Sequence, residues 1–288
     1  MTLKTNHLLQ ITGIYILIAI SGALTWTYWP SQNDLFRFGA ADLVMTIVCF
    51  MFSVLKKNSS VYDAYWSVIP FYFLLLWVYL YDDKITLLHW IMITVVSIWS
   101  WRLSLNWGRS WADFSHEDWR YIKLAKDTGK FYPAVNFLGI HLFPTVLVFF
   151  GMWPLFYLFT NGISLTWMFY VGVGISLIGI SLEYLADNKL FAFRNRPNQM
   201  QGEILDTGLW GIMRYPNYMG EMLFWIGVFF LGHSFGAPLF TGIGALMMCC
   251  LFVFISIPMK EKRMLERRTN YSDYQKRVPM LIPRFWRR

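Results

Sequence analysis

The segment from Glu183 to Glu221 concentrates residue types that bind phosphates and ribose hydroxyls. Glu183 and Asp187 are four residues apart, so they share one face of a helix. Three arginines follow, and a guanidinium group matches phosphate geometry better than an ammonium group does. They are Arg194, Arg196 and Arg214. The segment therefore predicts a site for a phosphorylated, ribose-bearing cofactor.

A helix start lies at the end of this segment. Pro216 suits the first turn of a helix, and Asn217 and Glu221 then share one helix face. The chain has no P-loop, no Gly-x-Ser-x-Gly elbow and no Gly-x-Gly-x-x-Gly fingerprint after a strand. The cofactor site is therefore expected to be built on helices and not on a Rossmann fold.

A second group of chemically capable residues surrounds Asp63, which lies between Tyr62 and Tyr65. A buried carboxyl group either donates a proton itself or orients a neighbouring tyrosine as the donor. Arg102 lies in another apolar run and is the alternative partner of Asp63 in a structural ion pair. We expect Asp63, Tyr65 and Arg102 to form the catalytic set.

The composition indicates where these residues must be positioned. Hydrophobic residues make up 56% of the 288 residues, charged residues 15% and aromatic residues 19%. This balance excludes a disordered chain and argues against an ordinary soluble enzyme. We expect one all-α integral membrane domain over residues 1–288, built as a bundle of seven or eight spans. The candidate spans are residues 8–29, 39–55, 61–81, 85–108, 133–159, 163–185, 217–232 and 238–258.

The positive charges indicate an orientation. With eight spans, all of the 25 Lys and Arg residues except Arg37, Lys84 and Arg102 fall in the two termini and in the loops on their side. The positive-inside rule then places both termini and the large loops in the cytoplasm, for a bacterial inner membrane or an endoplasmic reticulum protein. The same asymmetry accounts for the net charge of +8 without a nucleic-acid partner.

Metal chemistry is not expected. The five histidines are scattered singly, and the three cysteines lie in apolar runs without ligand spacing. A lone membrane histidine such as His141 is expected to be a hydrogen-bonded packing residue. Gly172, Gly174 and Gly179 are expected to allow close helix packing.

Three stretches of the sequence resemble the steroid 5α-reductase superfamily. Gly-Leu-Trp at 208–210 and Arg-Tyr-Pro-Asn-Tyr-Met-Gly-Glu at 214–221 are similar to its signature, with Tyr215 in place of the usual histidine. The tail from Glu261 through Tyr271, Tyr274 and Val278 to residues 282–285 is similar to the end of that superfamily. Residues 101–121 resemble its uncharacterised multi-pass branch. The resemblance covers roughly residues 60–285, and the most diagnostic part is 183–285.

The resemblance implies NADPH-dependent reduction of a carbon–carbon double bond conjugated to a carbonyl, in a hydrophobic sterol-like or isoprenoid-like substrate held among membrane lipid. It also implies a set of cofactor-binding residues, to which the residue types add Glu183 and Arg196. The implied residues are Asp187, Arg194, Arg214, Asn217, Tyr218, Glu221, Arg263 and Tyr274. Asp63 falls where the superfamily carries an acid, but the run 85–108 lacks the tyrosine that accompanies it.

Two alternatives remain open from the sequence. The superfamily is similar in fold to isoprenylcysteine carboxyl methyltransferases, which implies an S-adenosylmethionine-dependent lipid methyltransferase. Arginine density in the 186–216 loop favours a phosphate-bearing cofactor over that sulfonium cofactor. The third class is a non-enzymatic lipid-binding membrane protein, for which no soluble cofactor is expected.

Overall fold

A computed structural model of the protein describes residues 3–161, 166–197 and 202–283. Over these ranges the ordered elements are helices and none is a strand, which confirms the all-α fold class. Seven helical segments in the same ranges are long and apolar enough to cross a membrane. They are Lys4–Tyr28, Asp34–Lys56, Ser59–Leu80, Leu87–Ser110, Trp119–Thr160, Trp167–Arg194 and Leu239–Arg267. The chain is therefore a multi-pass membrane protein.

The chain divides into two compact units, Met1–Met152 and Trp153–Arg288. The expectation of one integral domain over residues 1–288 stays a prediction. The helices of the first unit are α1 (Leu3–Tyr28), α2 (Asp34–Lys56), α3 (Tyr65–Leu80), α4 (Leu87–Ser110), α5 (Trp119–Thr128) and α6 (Tyr132–Val135). A 3-10 turn at Ser59–Tyr62 precedes α3, and a π-helical segment at Asn136–Leu142 leads into α7 (Phe143–Thr160), which ends in the second unit.

The helices of the second unit carry the segment with the cofactor-like residues. They are α8 (Trp167–Arg194), α9 (Leu209–Ile212), α10 (Pro216–His233), α11 (Ile243–Cys250), α12 (Ile257–Arg267) and α13 (Tyr271–Arg277). A second π-helical segment, Leu251–Ser256, joins α11 to α12. Residues 163–165 of the sixth predicted span and residues 284–285 of the matched tail lie outside the described residues.

Each of the eight predicted spans is mainly helical over its described residues, and several of the helices extend beyond their apolar runs. Helix α2 begins at Asp34, because the Asn33 side chain accepts hydrogen bonds from the backbone N–H groups of Leu35 and Phe36. Helix α8 continues past Leu185 to Arg194. Helix α10, the seventh predicted span, has 18 residues and is not one of the seven segments above. Its length of about 27 Å is close to the thickness of the hydrocarbon core.

Glycines bring α8 and α10 into backbone contact. A Cβ atom on Gly179 would lie 2.5 Å from the Gly220 carbonyl oxygen and 2.8 Å from the Phe224 nitrogen. A Cβ atom on Gly172 would lie 2.8 Å from the Leu231 nitrogen, whereas one on Gly174 would meet no atom within 4 Å. Gly172 and Gly179 therefore have the packing role expected of them, and Gly174 does not. This close approach sets the positions of the polar residues at the C-terminal end of α8.

Candidate functional site

The second unit contains an acid–amide cluster, made of Glu183 and Asp187 on α8 with Asn217 and Glu221 on α10. Asn217 donates a hydrogen bond from Nδ2 to Asp187 Oδ1 at 3.1 Å. The Glu183 side chain is 2% exposed, and its Cγ atom packs against Gly220. Glu221 is 4% exposed and accepts a hydrogen bond from Trp225 Nε1 at 3.0 Å. The close packing of α8 and α10 therefore brings together the four residues that the sequence predicted on two helix faces.

Tyr218 adds an aromatic surface beside this cluster. Its ring stacks on the Tyr215 ring at 5.6 Å and contacts the Phe252 ring at 4.7 Å. The Lys260 ammonium lies 4.3 Å from the centre of the Tyr218 ring, within the range of a cation–π interaction. Tyr218 thus links the start of α10 to a cation on α12, a connection that the sequence pattern did not indicate.

Arg194 is the cation on the cluster face of α8. It is seven residues after Asp187, which returns to the same helix face, and its side chain is exposed. Asp187 and Tyr218 both interact electrostatically with it. Burial lowers the pKa of the Arg268 guanidinium. The positive charge of Arg194 lowers this pKa further. Arg194 is therefore the cation on the cluster face, whereas the Arg268 guanidinium donates to the Glu203 carbonyl.

Arg214 has a structural position. Its Nε donates to Glu261 Oε1 at 2.7 Å, and its NH1 group donates to the Val278 carbonyl at 2.5 Å and to the Gln275 carbonyl at 3.0 Å. These bonds tie the start of α10 to α12 and to the chain after α13. Glu261, a residue of the matched tail, is the carboxylate that neutralises Arg214.

Tyr274 has a similar position. Its hydroxyl donates to the Trp210 carbonyl at 2.6 Å, and the side chain is buried. Arg263, the other candidate from the tail, lies half-buried on α12. The geometry thus gives Arg214 and Tyr274 direct roles in holding the C-terminal segment.

A groove of about 540 Å³ lies on another face of α8. Its lining includes Lys189 and Ala192, which project from the side of α8 opposite to Asp187 at 100° per residue. It also includes Arg196, which forms an ion pair with Glu203, and Arg277, which forms one with Asp206 at 3.2 Å. Arg196 therefore lies in a charge-balanced groove apart from the acid–amide cluster.

In the first unit, Asp63 is hydrogen-bonded to Tyr121. The Tyr121 hydroxyl donates to Asp63 Oδ1 at 2.6 Å, and Arg120 exerts the strongest Coulomb interaction on the carboxylate. Arg120 and Tyr121 both lie on α5. The Asp118 side chain caps the N-terminus of this helix by accepting a hydrogen bond from the Arg120 N–H. Arg102 lies half-buried on α4. The tyrosine that Asp63 orients is thus Tyr121, and not Tyr62 or Tyr65.

Tyr65 is held by a different acid. Its hydroxyl donates to Asp42 Oδ1 at 3.0 Å, and both side chains are buried. The Tyr65 ring stacks on the Tyr62 ring at 5.0 Å. The sequence places Asp42 in an apolar run, but its contact with Tyr65 depends on how α2 and α3 pack and has no local signal.

Buried hydroxyl groups extend this contact into α7. Thr46 lies 3.2 Å from the Tyr65 hydroxyl and 3.0 Å from Thr145, and Thr145 lies 2.9 Å from the Tyr62 hydroxyl. His141 packs against the Tyr62 ring and forms a 2.8 Å hydrogen bond between its Nε2 and Ser53 Oγ. His141 is therefore the hydrogen-bonded packing residue that was expected. Sequence reasoning missed Thr46 and Thr145.

Among the described residues, no group of three or more His, Cys, Asp or Glu side chains is arranged to hold a metal ion. The two candidate regions consist of carboxylates, an amide, tyrosines and basic side chains. Such groups bind and orient organic ligands and transfer protons.

Comparison with known proteins identifies the family. Residues 49–278 match the model of a family described as "Protein of unknown function (DUF1295)", and the chain belongs to this family. An uncharacterized protein of Schizosaccharomyces pombe, C594.04c, is 24% identical over 304 residues, which cover 96% of this chain and 88% of the relative. No solved structure matches.

Proposed function

We propose that this DUF1295 protein is an NADPH-dependent membrane reductase of the steroid 5α-reductase type. Its substrate would be a hydrophobic carbonyl compound with a conjugated carbon–carbon double bond. The observation that carries the proposal is the hydrogen bond between Asp187 and Asn217, which joins the two motif-bearing helix ends into one polar cluster beside Arg194.

The residues present fit the chemical parts of NADPH. The carboxylates of the acid–amide cluster suit the carboxamide and ribose hydroxyl donors, because ionised carboxylates accept hydrogen bonds only. The guanidinium of Arg194, with Lys260 over the Tyr218 ring, suits the phosphates. When bound, NADPH would supply a hydride. The chain itself would orient the cofactor through Asn217, whose side chain is held by Asp187.

Two features of the second unit favour a second candidate, an S-adenosylmethionine-dependent lipid methyltransferase. The acid–amide cluster contains three carboxylates, which suit a sulfonium and an amino group. Arg196 forms an ion pair with Glu203 and lies apart from the cluster. One of the arginines that favoured a phosphate-bearing cofactor is therefore not part of the cluster. The two cofactors must therefore be compared directly.

We propose further that the termini and the large loops face the cytoplasm, in a bacterial inner membrane or the endoplasmic reticulum. The support is the concentration of Lys and Arg in those segments. This orientation requires α10 to be the eighth crossing, and its packing along α8 supports that. A soluble cofactor would then reach the C-terminal end of α8 from the cytoplasm.

The test is a calorimetric titration of the detergent-purified protein with NADPH and, separately, with S-adenosylmethionine. Saturable NADPH binding that Asn217→Ala weakens at least about tenfold supports the reductase, since a lost charge-assisted contact contributes about 1.5–3 kcal/mol. Asn195→Ala is the matched control, because in the described part of the chain the Asn195 amide bonds the Phe191 carbonyl in its own helix end. Binding of S-adenosylmethionine instead would favour the methyltransferase, and binding of neither would favour the non-enzymatic class.

A further inference from the structure

Five buried groups in the first unit form a continuous hydroxyl chain that ends at a carboxyl group. The chain runs from the Tyr62 hydroxyl through Thr145, Thr46 and Tyr65 to Asp42, with successive oxygen–oxygen distances of 2.9, 3.0, 3.2 and 3.0 Å. All five side chains are at most 4% exposed. The chain crosses between α7, α2, the 3-10 turn Ser59–Tyr62 and the start of α3, so no single helix contains it.

The hydrogen bonds of the chain can all point in one direction. Each hydroxyl can donate to the next oxygen toward Asp42, whose carboxylate is the final acceptor. With Asp42 protonated, every bond can point the opposite way, toward Tyr62. Each threonine also lies 2.8–2.9 Å from a carbonyl in its own helix, so rotation of either hydroxyl interrupts the chain. A threonine hydroxyl has one proton, so the path is continuous only when both threonines turn away from these carbonyls.

We propose that the Asp42–Tyr65–Thr46–Thr145–Tyr62 chain is an intramembrane proton relay. When a water molecule that reaches Tyr62 takes the phenol proton, each O–H bond breaks as the next one forms, Asp42 becomes a carboxylate and the water becomes hydronium; the reverse transfer from water restores the Asp42 proton. The acceptor gains one proton and no electrons move. All five residues lie in the first unit, and the transfer along them needs no cofactor.

The surroundings of the chain support a functional role. Polar groups within membrane spans are costly and mark sites more often than chance. The chain borders the π-helical segment Asn136–Leu142, a type of distortion frequent at functional sites. That segment carries His141 against Tyr62, and it carries Asn136, whose buried Oδ1 atom has no hydrogen-bond partner in the described part of the protein. Other titratable groups that interact electrostatically with the chain include Cys49, Asp63 and Tyr15.

The test measures hydrogen–deuterium exchange of the Asp42 carboxyl group by infrared spectroscopy in mildly acidic buffer, without any cofactor. The carbonyl band of protonated Asp42 is assigned by its absence in Asp42→Asn. We expect this band to shift in D₂O at least about tenfold more slowly in Thr145→Val and in Tyr65→Phe than in the wild type, because each variant removes one hydroxyl from the path. Two variants at different positions are measured, so that misfolding of one variant does not decide the result.

The matched control is Thr160→Val, which also removes a threonine hydroxyl bonded to a carbonyl of its own turn on α7. It should exchange within about twofold of the wild type. Wild-type exchange rates in both chain variants, or no band that depends on Asp42, would overturn the relay. Because the measurement needs no cofactor, a failure of NADPH binding would refute the reductase and leave this result standing by itself.

Discussion

Replacement of Gly179 by alanine tests whether helix packing builds the acid–amide cluster. The added Cβ atom would lie 2.5 Å from the Gly220 carbonyl oxygen and 2.8 Å from the Phe224 nitrogen. A carbon–oxygen contact needs about 3.3 Å, so α10 must retreat by about 0.8 Å. All the nearest atoms are backbone atoms, and no side chain can rotate away to relieve the clash.

We expect two consequences of this retreat. Overpacking costs about 1–3 kcal/mol of unfolding free energy, partly offset by the higher helix propensity of alanine. The Asp187–Asn217 bond, which is 3.1 Å long, would lengthen beyond hydrogen-bond range. The stability loss is measured by denaturant unfolding in detergent micelles, and the loss of the bond by weakened NADPH binding in calorimetry.

The control is Gly174→Ala on the same helix, where the added Cβ atom meets nothing within 4 Å. This variant should be neutral or more stable by about 0.5–1 kcal/mol, and its NADPH affinity should be unchanged. Equal behaviour of the two variants would refute the reasoning that backbone contact between α8 and α10 sets the cluster.

Three other predictions concern the C-terminal segment. Arg214→Ala removes charge-assisted bonds to Glu261 and to two backbone carbonyls, so it should destabilise the segment by about 2–3 kcal/mol and speed limited proteolysis near residue 270. Arg277→Ala removes only an exposed ion pair and should cost less than about 1 kcal/mol in denaturant unfolding. Burial raises the pKa values of Tyr215 and Tyr271 above the ordinary value near 10, so the unfolded state ionises first as the pH rises. Stability should therefore be complete below about pH 10 and fall above it, with a smaller fall in Tyr271→Phe, as measured by unfolding at stepped pH.

The helices could be predicted because each one carries a long apolar run. Their ends were less predictable. Asp42 and Thr46 lower the hydropathy in the first half of α2, which obscures where the helix begins. Both side chains are hydrogen-bonded inside the unit, so the helix accommodates them. Helix α8 extends to Arg194 because hydrogen bonding within a helix continues where the chain becomes polar.

The members of the acid–amide cluster were also predictable, because their spacing on each helix is local. The partners of the other candidates were not. Tyr121 reaches Asp63 across 58 positions of the sequence, and Arg214 bonds the Val278 carbonyl across 64. A backbone carbonyl as acceptor leaves no trace in residue types, so the structural roles of Arg214 and Tyr274 follow only from the tertiary fold.

The most direct test of cofactor binding at the α8–α10 helix ends is hydrogen–deuterium exchange of backbone amides, followed by mass spectrometry with and without each cofactor. We predict that NADPH slows exchange in peptides covering residues 183–194 and 215–221, and that S-adenosylmethionine does not. Protection by S-adenosylmethionine instead, or no NADPH-dependent change in these peptides, would contradict the account.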